Sequence, residues 1–512
     1  MYKTIILIAI LFANISGNII AQIHPAEGAR LHYRLIGFSF PAALNTAGSK
    51  LEIAAGTYNS ESEFRSNVIK SAAVKNNKII IEVPTFGAEY TWRLTAAAST
   101  QRMANPFHHF TTLKSSNADT TNYRFRIVQS AIKYKDAYVF NDKTKTMYNM
   151  QGEPVWFLPN IHGIVEDNSE IRDIKLTPQN TITFLTYNMA YEINYDGEVL
   201  WRAPNKGALS RDAEEHYHHE LTRLANGHYM VLGHEILKWK WDYSNNGDSS
   251  IAIVEGNENN ATVVGKSNIP LRRMQMGTII EYDSSGQIIW SWKSSAYYKN
   301  ENLRFLQSSM GFIESHENAF FFDEKNKMLY VSFKNTNQVL KIKYPEGKVV
   351  HKYDGLELQT KVGTSMLALF SQQHACKVTS AGDLSLYNNN MANSFVEPQV
   401  LILQQPTIAN GKLKPVWMYQ YPQKYRLETR DRLTSGGNVI ELPDHSFFVS
   451  SCTPYGNVFI VNREKKLLWD ALLEIWNADE HKWVTKSAYR YSIITNRKNL
   501  EHLIHGENIE SQ

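Results

Sequence analysis

Cysteine is almost absent from this chain, because Cys376 and Cys452 are the only two among 512 residues. Small secreted domains without a sizeable core are held together by several disulfides. One pair at most excludes that class of protein, so a hydrophobic core must stabilise the chain. The sequence does not show whether the two cysteines pair.

The chain also lacks a large excess of positive or negative residues. Lys and Arg number 54 against 50 Asp and Glu, the net charge is +4, and no long basic run occurs. Nothing therefore indicates a nucleic-acid partner.

Serine-nucleophile sequences of the Gly-x-Ser-x-Gly type are absent, and Gly265-Lys-Ser lacks the upstream glycine of a phosphate-binding P-loop.

Long apolar runs are missing except at the N-terminus. Residues 1–22 begin with a charged start at Lys3, continue with an apolar run and end in small and polar residues. This run is short for a membrane span and has the composition of a secretory signal peptide. We therefore expect an exported protein, periplasmic or extracellular, with no membrane span.

Aromatic residues, in contrast, are plentiful, with 27 Tyr, 22 Phe and 11 Trp. Together with scattered Gly and Asn turns they favour an all-β chain. Residues 23–121 contain about seven short alternating runs, which predict an immunoglobulin- or fibronectin-like β-sandwich. A polar stretch at residues 114–122 reads as a linker, and residues 122–512 form the second predicted domain.

Two repeated patterns alternate along this second domain. In the first, a histidine stands eight residues before a turn glycine: His219 before Gly227, and His374 before Gly382. A third copy starts at His316 with a longer turn, further copies lie near Arg172 and Gly437, and the segment from Ser130 is a weaker first copy. In the second pattern, two apolar runs flank a tight turn and end in Trp, as at residues 148–156, 193–201, 281–290 and 460–469, which is typical of a hairpin. Six such units predict a six-bladed β-propeller.

The first strand of each propeller blade faces the central channel. Residues that begin this strand in different repeats therefore face one another at one end of the channel. Arg172, His219, His316, His374 and Gly437 occupy this position. Histidines at one register in three repeats predict an active site there.

A metal site is the alternative interpretation of His216-Tyr-His218-His219. Strand alternation places His216 and His218 on one face and His219 on the other, and no carboxylate or cysteine set accompanies them at ligand spacing. We therefore predict neither a metal nor another cofactor. Residues 238–273 are rich in polar residues and predict an insertion on the third blade, either a surface loop or a lid over the site.

Several of these segments together resemble the bacterial arylsulfotransferases. They are Phe370-Ser-Gln-Gln-His-Ala, Tyr217-His-His-Glu-Leu-Thr-Arg and Ser315-His-Glu-Asn. The likeness covers nearly the whole mature chain, including the Trp-ending hairpins. It implies a secreted six-bladed propeller with an N-terminal β-sandwich. It also implies transfer of a sulfuryl group from a phenolic sulfate ester to another phenol, without a nucleotide donor.

The resemblance also implies roles for individual residues. His374 corresponds to the nucleophile that becomes transiently sulfated, and His219 to a second channel histidine, with His218 as its alternative. His316 and Asn318 match two polar residues that line the site. Arg172 is added as a substrate-binding residue. The residues with predicted roles are therefore His374, His219, His218, His316, Asn318 and Arg172.

The chain departs from the family at Lys334, where the family has arginine. Lysine keeps the positive charge but lacks the bidentate fork that suits a sulfate group. The cysteine pair of the family is not clearly reproduced by Cys376 and Cys452. The family includes dimers, which leaves a homodimer open.

The implied chemistry is consistent with the residues. Neutral imidazole is a competent nucleophile near pH 7 because its ordinary pKa is about 6.5. Attack on sulfur would split the transfer into two steps, with cations and amides stabilising the spread negative charge. Two other functions remain open from sequence: a secreted propeller that only binds, and an aryl sulfate hydrolase with water as acceptor.

Overall fold

The structure is a computed structural model, and it describes most of the chain. The described residues are 23–41, 48–95, 107–166, 168–240, 252–253, 271–298, 313–362, 365–393, 397–408, 411–422, 436–451 and 455–506. Strands predominate throughout these ranges, which confirms the all-β class. The chain divides into two compact units, Met1–Leu113 and Lys114–Gln512.

The first unit contains seven strands and one short helix in its described part. They are β1 (Ala29–Leu31), β2 (Leu35–Ser39), β3 (Lys50–Ala55), α1 (Glu61–Ser66), β4 (Val68–Ala73), β5 (Lys78–Glu82), β6 (Glu89–Thr95) and β7 (His108–Thr112). Five strands form one sheet in the order β1-β7-β6-β3-β4, and β2 pairs with β5. Phe38 of β2 packs against Trp92 and Phe110 of the larger sheet, with ring centroids 5.1 and 6.1 Å away. This apolar contact joins the two sheets.

The second unit contains six sheets of four or more strands in its described part, here numbered I to VI in chain order. It starts with β8 (Tyr123–Gln129). Sheet I follows with β9 (Tyr138–Asn141), β10 (Thr146–Asn149) and β11 (Pro154–Phe157). Sheet II is formed by β12 (Arg172–Leu176), β13 (Ile182–Leu185), β14 (Ala190–Ile193) and β15 (Val199–Arg202). Sheet III contains β16 (Tyr217–Arg223), β17 (Tyr229–Lys240), β18 (Ala252–Ile253), β19 (Leu271–Tyr282), β20 (Ile288–Lys293) and β21 (Ile313–Glu314), with α2 (Ser294–Tyr298) after β20.

The remaining sheets repeat the same plan. Sheet IV is formed by β22 (Glu317–Asp323), β23 (Met328–Phe333), β24 (Gln338–Lys343) and β25 (Lys348–Asp354), and a hairpin of β26 (Gln359–Val362) and β27 (Ser365–Ala368) follows. Sheet V is formed by β28 (His374–Val378), β29 (Leu384–Asn388), β30 (Gln399–Gln404) and β31 (Lys414–Gln420). Sheet VI contains β32 (Asn438–Glu441), β33 (Phe447–Ser450), β34 (Asn457–Val461), β35 (Leu467–Asn477) and β36 (Lys482–Thr485). The chain continues with β37 (Tyr491–Ile494) and α3 (Arg497–His505).

The first strands of the sheets are neighbours. Strands β37, β12, β16, β22, β28 and β32 contact one another in that order, and β37 also contacts β33 of sheet VI, so the series returns to its start. The middle strands are buried on both faces, which explains their continuous apolar runs, as in Phe447-Phe-Val. The outermost strands are more exposed, as in β15 and β31.

The Trp-ending patterns form the hairpins that they predict, between the third and fourth strands of their sheets. Tryptophans of the fourth strands donate through the indole N–H to a backbone carbonyl in the next sheet: Trp156 to Tyr195, Trp290 to Pro345, Trp417 to Arg463, and Trp469 to Met150. A buried indole N–H needs such an acceptor. The last of these bonds joins sheet VI to sheet I.

The two ends of this unit exchange strands. Sheet I has the order β11-β10-β9-β37, so its first strand comes from near the C-terminus, while β8 pairs with β35 of sheet VI. The expectation that the segment from Ser130 supplies the first strand of the first repeat is therefore wrong. That segment runs into β9, the second strand, because β37 occupies the first place.

Two predicted features lie partly or wholly outside the described residues. The signal peptide at residues 1–22 lies outside them, and no helix in the described ranges is long and apolar enough to cross a membrane. The predicted insertion at residues 238–273 begins in the last residues of β17 and ends in the first residues of β19, and these two strands pair along twelve residues each. Most of the segment between these two strands lies outside the described residues.

Candidate active site

A cavity of about 460 Å³ opens beside the first strands of sheets II to IV. Its lining is unusually rich in imidazoles and includes one guanidinium: His216, His218, His219, His234, His316 and Arg172. We call it the histidine cavity. Three of the predicted site histidines and the predicted arginine therefore share one cavity.

The backbone explains why adjacent histidines line the same cavity. His219 has a φ of +62°, and the register of β16 against β17 shifts between Tyr217 and Leu221. Such a bulge with a left-handed residue interrupts the alternation of side chains. The expectation that His216 and His218 face away from His219 is therefore wrong. His316 is also left-handed, with a φ of +54°, and strain of this kind is often found at functional sites.

The predicted histidines are close to one another. The Nδ1 atoms of His218 and His219 are hydrogen-bonded at 2.6 Å. The ring centroid of His219 is 5.5 Å from that of His316 and 6.0 Å from that of His374. His374 is buried and does not line the histidine cavity itself. Its neighbour His219 does line the cavity.

Tyr489, which the sequence did not single out, completes this group. Its hydroxyl is hydrogen-bonded to Nε2 of His374 at 2.7 Å, and its ring centroid is 5.8 Å from that of His219. The guanidinium of Arg172 lies 5.1 Å from the centre of the same ring. Tyr489 precedes β37, the strand that closes sheet I, so no repeat pattern marks it.

Charged side chains below the histidines hold this arrangement in place. Buried Arg490 donates to Asp173 at 2.6 Å and lies 3.3 Å from Glu220, and its backbone N–H donates to Asp142 at 2.9 Å. Burial works to raise the pKa of Glu220, but Arg490 and Lys175 outweigh it and lower the value to about 2. Glu220 is thus a carboxylate at neutral pH, and the network fixes the backbone next to Tyr489.

The other predicted residues lie around the same point. Asn318 is buried, and its Nδ2 donates to the carbonyl of Gln373, the residue before His374, at 2.7 Å. The backbone N–H of Lys334 donates to the carbonyl of His316 at 2.9 Å. Neither residue lines the histidine cavity. Gly437 allows a close approach, since a Cβ there would lie 2.2 Å from the ring of Tyr387.

Three polar atoms near the predicted nucleophile have no hydrogen-bond partner among the described residues. They are Nδ1 of His374, Oδ1 of Asn318 and Oε1 of Gln373. Buried polar atoms of this kind are rare in folded proteins and often mark functional sites.

Cys376 follows two residues after His374 but has the character of a structural residue. It is buried, and burial raises the pKa of its thiol far above the ordinary range. A buried thiol of high pKa is a poor nucleophile. Cys452 lies outside the described residues, so the pairing question stays open.

The histidines are held in the neutral form. Burial, followed by the charge of Arg490, lowers the pKa of His374 well below 6.5. Burial and the neighbouring His218 do the same for His219, and burial and His234 for His218. Neutral imidazoles carry the lone pair that a nucleophile or a base needs. At pH 7 the site therefore has bases ready and a cation, Arg172, beside them.

We expect the pH dependence of turnover to reflect these lowered pKa values. Protonation removes the lone pair of His374, and its pKa lies well below that of a free histidine. For an aryl sulfate, the substrate that the resemblance implies, kcat/KM should therefore stay constant as pH falls from 8 through 6.5, and decline only at lower pH. A decline centred at 6.5 or above contradicts this expectation. Thermal unfolding in the same buffers controls for loss of folded protein.

Lysine and glutamate near His316 add opposite charges at the edge of the site. Nδ1 of His316 donates to Glu314 at 2.9 Å. Burial works to raise the pKa of Glu314, but this hydrogen bond outweighs it and lowers the value. Burial lowers the pKa of Lys334, and the negative charge of Glu314 offsets part of this shift. No three His, Cys, Asp or Glu side chains in the described ranges are arranged as a metal site.

Comparisons with known proteins give one family and several distant structures. The sequence profile described as Arylsulfotransferase (ASST) matches residues 110–406. No curated protein matches the chain. Among solved structures, the chain is similar to a protein of unknown function from Bacteroides caccae, at 12% identity over 70% of this chain and 98% of that chain, with a TM-score of 0.39. The periplasmic gluconolactonase PpgL of Pseudomonas aeruginosa is 9% identical over 87% of this chain and 99% of that chain, with a TM-score of 0.27.

Likeness to these structures is too low to support an argument about fold or function. The family match is different in kind, because it spans more than half of the chain and includes the histidines of sheets III, IV and V. Those are the same histidines that the structure brings together. The chain belongs to the arylsulfotransferase family.

Proposed function

We propose that the protein transfers a sulfuryl group from a phenolic sulfate ester to a phenolic acceptor through a sulfated His374. The observation that carries this proposal is the convergence of His374, His219 and His316 from three different sheets, with Arg172 from a fourth. A neutral nucleophile beside cations suits an anionic sulfate ester. The histidine cavity has the volume of a small-ligand site.

In the first half-reaction, a lone pair of His374 attacks the sulfur of the donor. The N–S bond forms as the S–O bond to the phenol breaks, and the electron pair of that bond leaves with the phenolate. Negative charge spreads over the sulfuryl oxygens, where Arg172 and Lys334 oppose it. A proton from solvent or from a histidine then neutralises the phenolate.

In the second half-reaction, the oxygen of the acceptor phenol attacks the sulfur and the N–S bond breaks. His374 regains its lone pair. The acceptor must lose its proton, and we assign this step to His219, which is neutral and 6.0 Å from His374 between ring centroids. An acid role for His219 in the first step requires the bound sulfate ester, whose negative charge would raise its low pKa.

A direct assay tests the function. Purified mature protein is incubated with 4-nitrophenyl sulfate, with and without phenol, and nitrophenolate and phenyl sulfate are measured. Release that depends on phenol and is matched by phenyl sulfate is the expected result. Equal release without phenol would make the protein a hydrolase. Absence of release with any phenol would leave a binding propeller and overturn the proposal.

Substitutions of Lys334 test the charge at the position where the family has arginine. Its charge acts on His374, whose pKa it helps to lower. We expect Lys334→Met to lower kcat/KM for the donor by roughly a hundredfold, since removing one donor to a developing oxyanion costs about that much. Lys334→Arg should retain activity or raise it a few-fold, because its fork suits a sulfate group.

The matched control for these variants is Lys341→Met. Lys341 lies on β24 of the same sheet, half-buried over the ring of Tyr330 and bonded to Gln405, outside the histidine cavity. Its substitution should leave kcat/KM unchanged. Activity of Lys334→Met equal to that of the control would show that the lysine plays no part in donor binding.

We propose that residues 122–512 form a six-bladed propeller, residues 23–121 a β-sandwich, and residues 1–22 an export signal to the periplasm or the outside. The cyclic contacts of β37, β12, β16, β22, β28 and β32 and the Trp469 bond from sheet VI to sheet I support the propeller. N-terminal sequencing of the secreted protein tests the signal.

A further inference from the structure

We propose that Tyr489 is a catalytic residue of the transfer, the hydroxyl donor that holds the sulfuryl group while it is bonded to His374. The inference rests on the proposed function, since it requires a sulfated His374. Its basis is the 2.7 Å hydrogen bond between the Tyr489 hydroxyl and Nε2 of His374. The resemblance to the family did not indicate this residue.

The two nitrogens of His374 differ in what they face. Nδ1 is buried without a partner among the described residues, whereas Nε2 faces the half-buried Tyr489. Nε2 can attack sulfur only with its proton absent, and in that tautomer the hydroxyl of Tyr489 donates to its lone pair. The nitrogen that attacks is therefore the one that Tyr489 covers in the resting protein.

Attack on sulfur exchanges this hydrogen bond for another. When Nε2 bonds to sulfur, its lone pair is used and the Tyr489 hydroxyl loses its acceptor. The sulfur takes the position along the Nε2 lone pair that the hydroxyl occupies in the resting protein, so the Tyr489 side chain rotates aside, and its hydroxyl then donates to one of the three oxygens on that sulfur. The resting bond keeps the donor in position, which is the preorganisation that stabilises developing charge.

Neighbouring charges strengthen the hydroxyl as a donor and fix its position. The guanidinium groups of Arg172 and Arg490 lie 5.1 and 5.8 Å from the centre of the Tyr489 ring. Arg490 is itself anchored by Asp173 and Glu220. Positive charge near the ring favours a partial negative charge on the phenolic oxygen. The hydroxyl is thus both polarised and held by the network under the histidines.

The test measures the first half-reaction with donor alone. Mixing enzyme with 4-nitrophenyl sulfate or phenyl sulfate gives a burst of phenol release, and peptide mass mapping locates the sulfuryl group. Tyr489→Phe removes only the hydroxyl, and we expect a burst rate lower by roughly a hundredfold. The loss should be equal for the two donors, because the hydroxyl binds the sulfuryl group that both share.

The control is Tyr134→Phe, which removes a hydroxyl bonded to Asp444 beside β9, and which should leave the burst unchanged. If Tyr489→Phe unfolds, 3-fluorotyrosine placed at 489 keeps the size of the ring and makes the hydroxyl a stronger donor. The burst rate should then rise with both donors. An unchanged or lower rate with the fluorinated ring overturns the inference.

Four results separate failure of this inference from failure of the proposed function. No sulfated His374 in the wild-type protein would overturn the proposed function and the inference with it. Sulfated His374 with an unchanged burst in Tyr489→Phe overturns the inference alone. A loss that is greater for phenyl sulfate than for 4-nitrophenyl sulfate would show that Tyr489 is the acid for the leaving phenolate. A sulfuryl group found on Tyr489 would show that it is an acceptor. Each of these two results overturns the proposed role.

Discussion

Replacement of His374 by alanine should abolish sulfuryl transfer, with a loss of about ten-thousandfold or more in kcat, as when other enzymes lose their nucleophile. Without the imidazole no other described group has the same place beside His219 and Tyr489. Water or phenol would have to attack the ester directly. Residual turnover should therefore lack the burst of nitrophenolate that a covalent intermediate produces.

The measurement for His374→Ala is pre-steady-state release from 4-nitrophenyl sulfate, with mass mapping of the trapped protein. His445→Ala serves as the matched control, because this exposed histidine lies at the turn between β32 and β33. It should show the wild-type burst. Since His374 is buried, thermal unfolding of the variant must show that the fold is retained. A burst of normal size from folded His374→Ala would refute the sulfohistidine mechanism.

Much of the fold followed from the sequence because turns and apolar patterns are local signals. The hairpins predicted from the Trp-ending patterns are confirmed, and so is the all-β class. Alternating runs and tight turns indicate the pairing of strands that follow each other in the chain. The first strand of sheet I could not be found in this way. It comes from β37, about 350 residues after its partner β9, and no local pattern records a pairing over such a distance.

The site followed from the sequence only in part, for a related reason. His219, His316 and His374 stand at one register of a repeat, which is visible as spacing. Tyr489 stands before a strand with no following hairpin, so the repeat does not mark it. The shared cavity of His216, His218 and His219 depends on the left-handed backbone at His219, which ordinary strand alternation does not foresee.

A sign that could have led to Tyr489 is the incomplete first repeat. The segment from Ser130 is a weak copy of the first-strand pattern, and a closed set of sheets needs its missing strand from elsewhere in the chain. The apolar run Tyr491-Ser-Ile-Ile near the C-terminus supplies it. Tyr489 lies two residues before that run, at the same end of its strand as Arg172 and His374 in β12 and β28.

The second large effect is expected for His219→Gln, and it should fall on one half of the reaction. A phenol with a pKa of about 10 is protonated at neutral pH and needs a base before it attacks. His219 is neutral there because burial and His218 lower its pKa. Glutamine keeps polar atoms in the cavity but takes no proton, so transfer to phenol should slow by about a hundredfold to ten-thousandfold.

The burst with 4-nitrophenyl sulfate alone should persist in His219→Gln, since nitrophenolate is a good leaving group and needs little help from an acid. The sulfated protein should then accumulate and decay slowly when phenol is added. An acceptor phenol that is already ionised at the assay pH should restore much of the rate, because it needs no base. His228→Gln, at the opposite end of the β16–β17 hairpin and bonded to Glu281, is the matched control and should turn over normally. If His219→Gln instead loses the burst and keeps the second step, His219 serves the donor, and the base for the acceptor must be sought among the other histidines of the cavity.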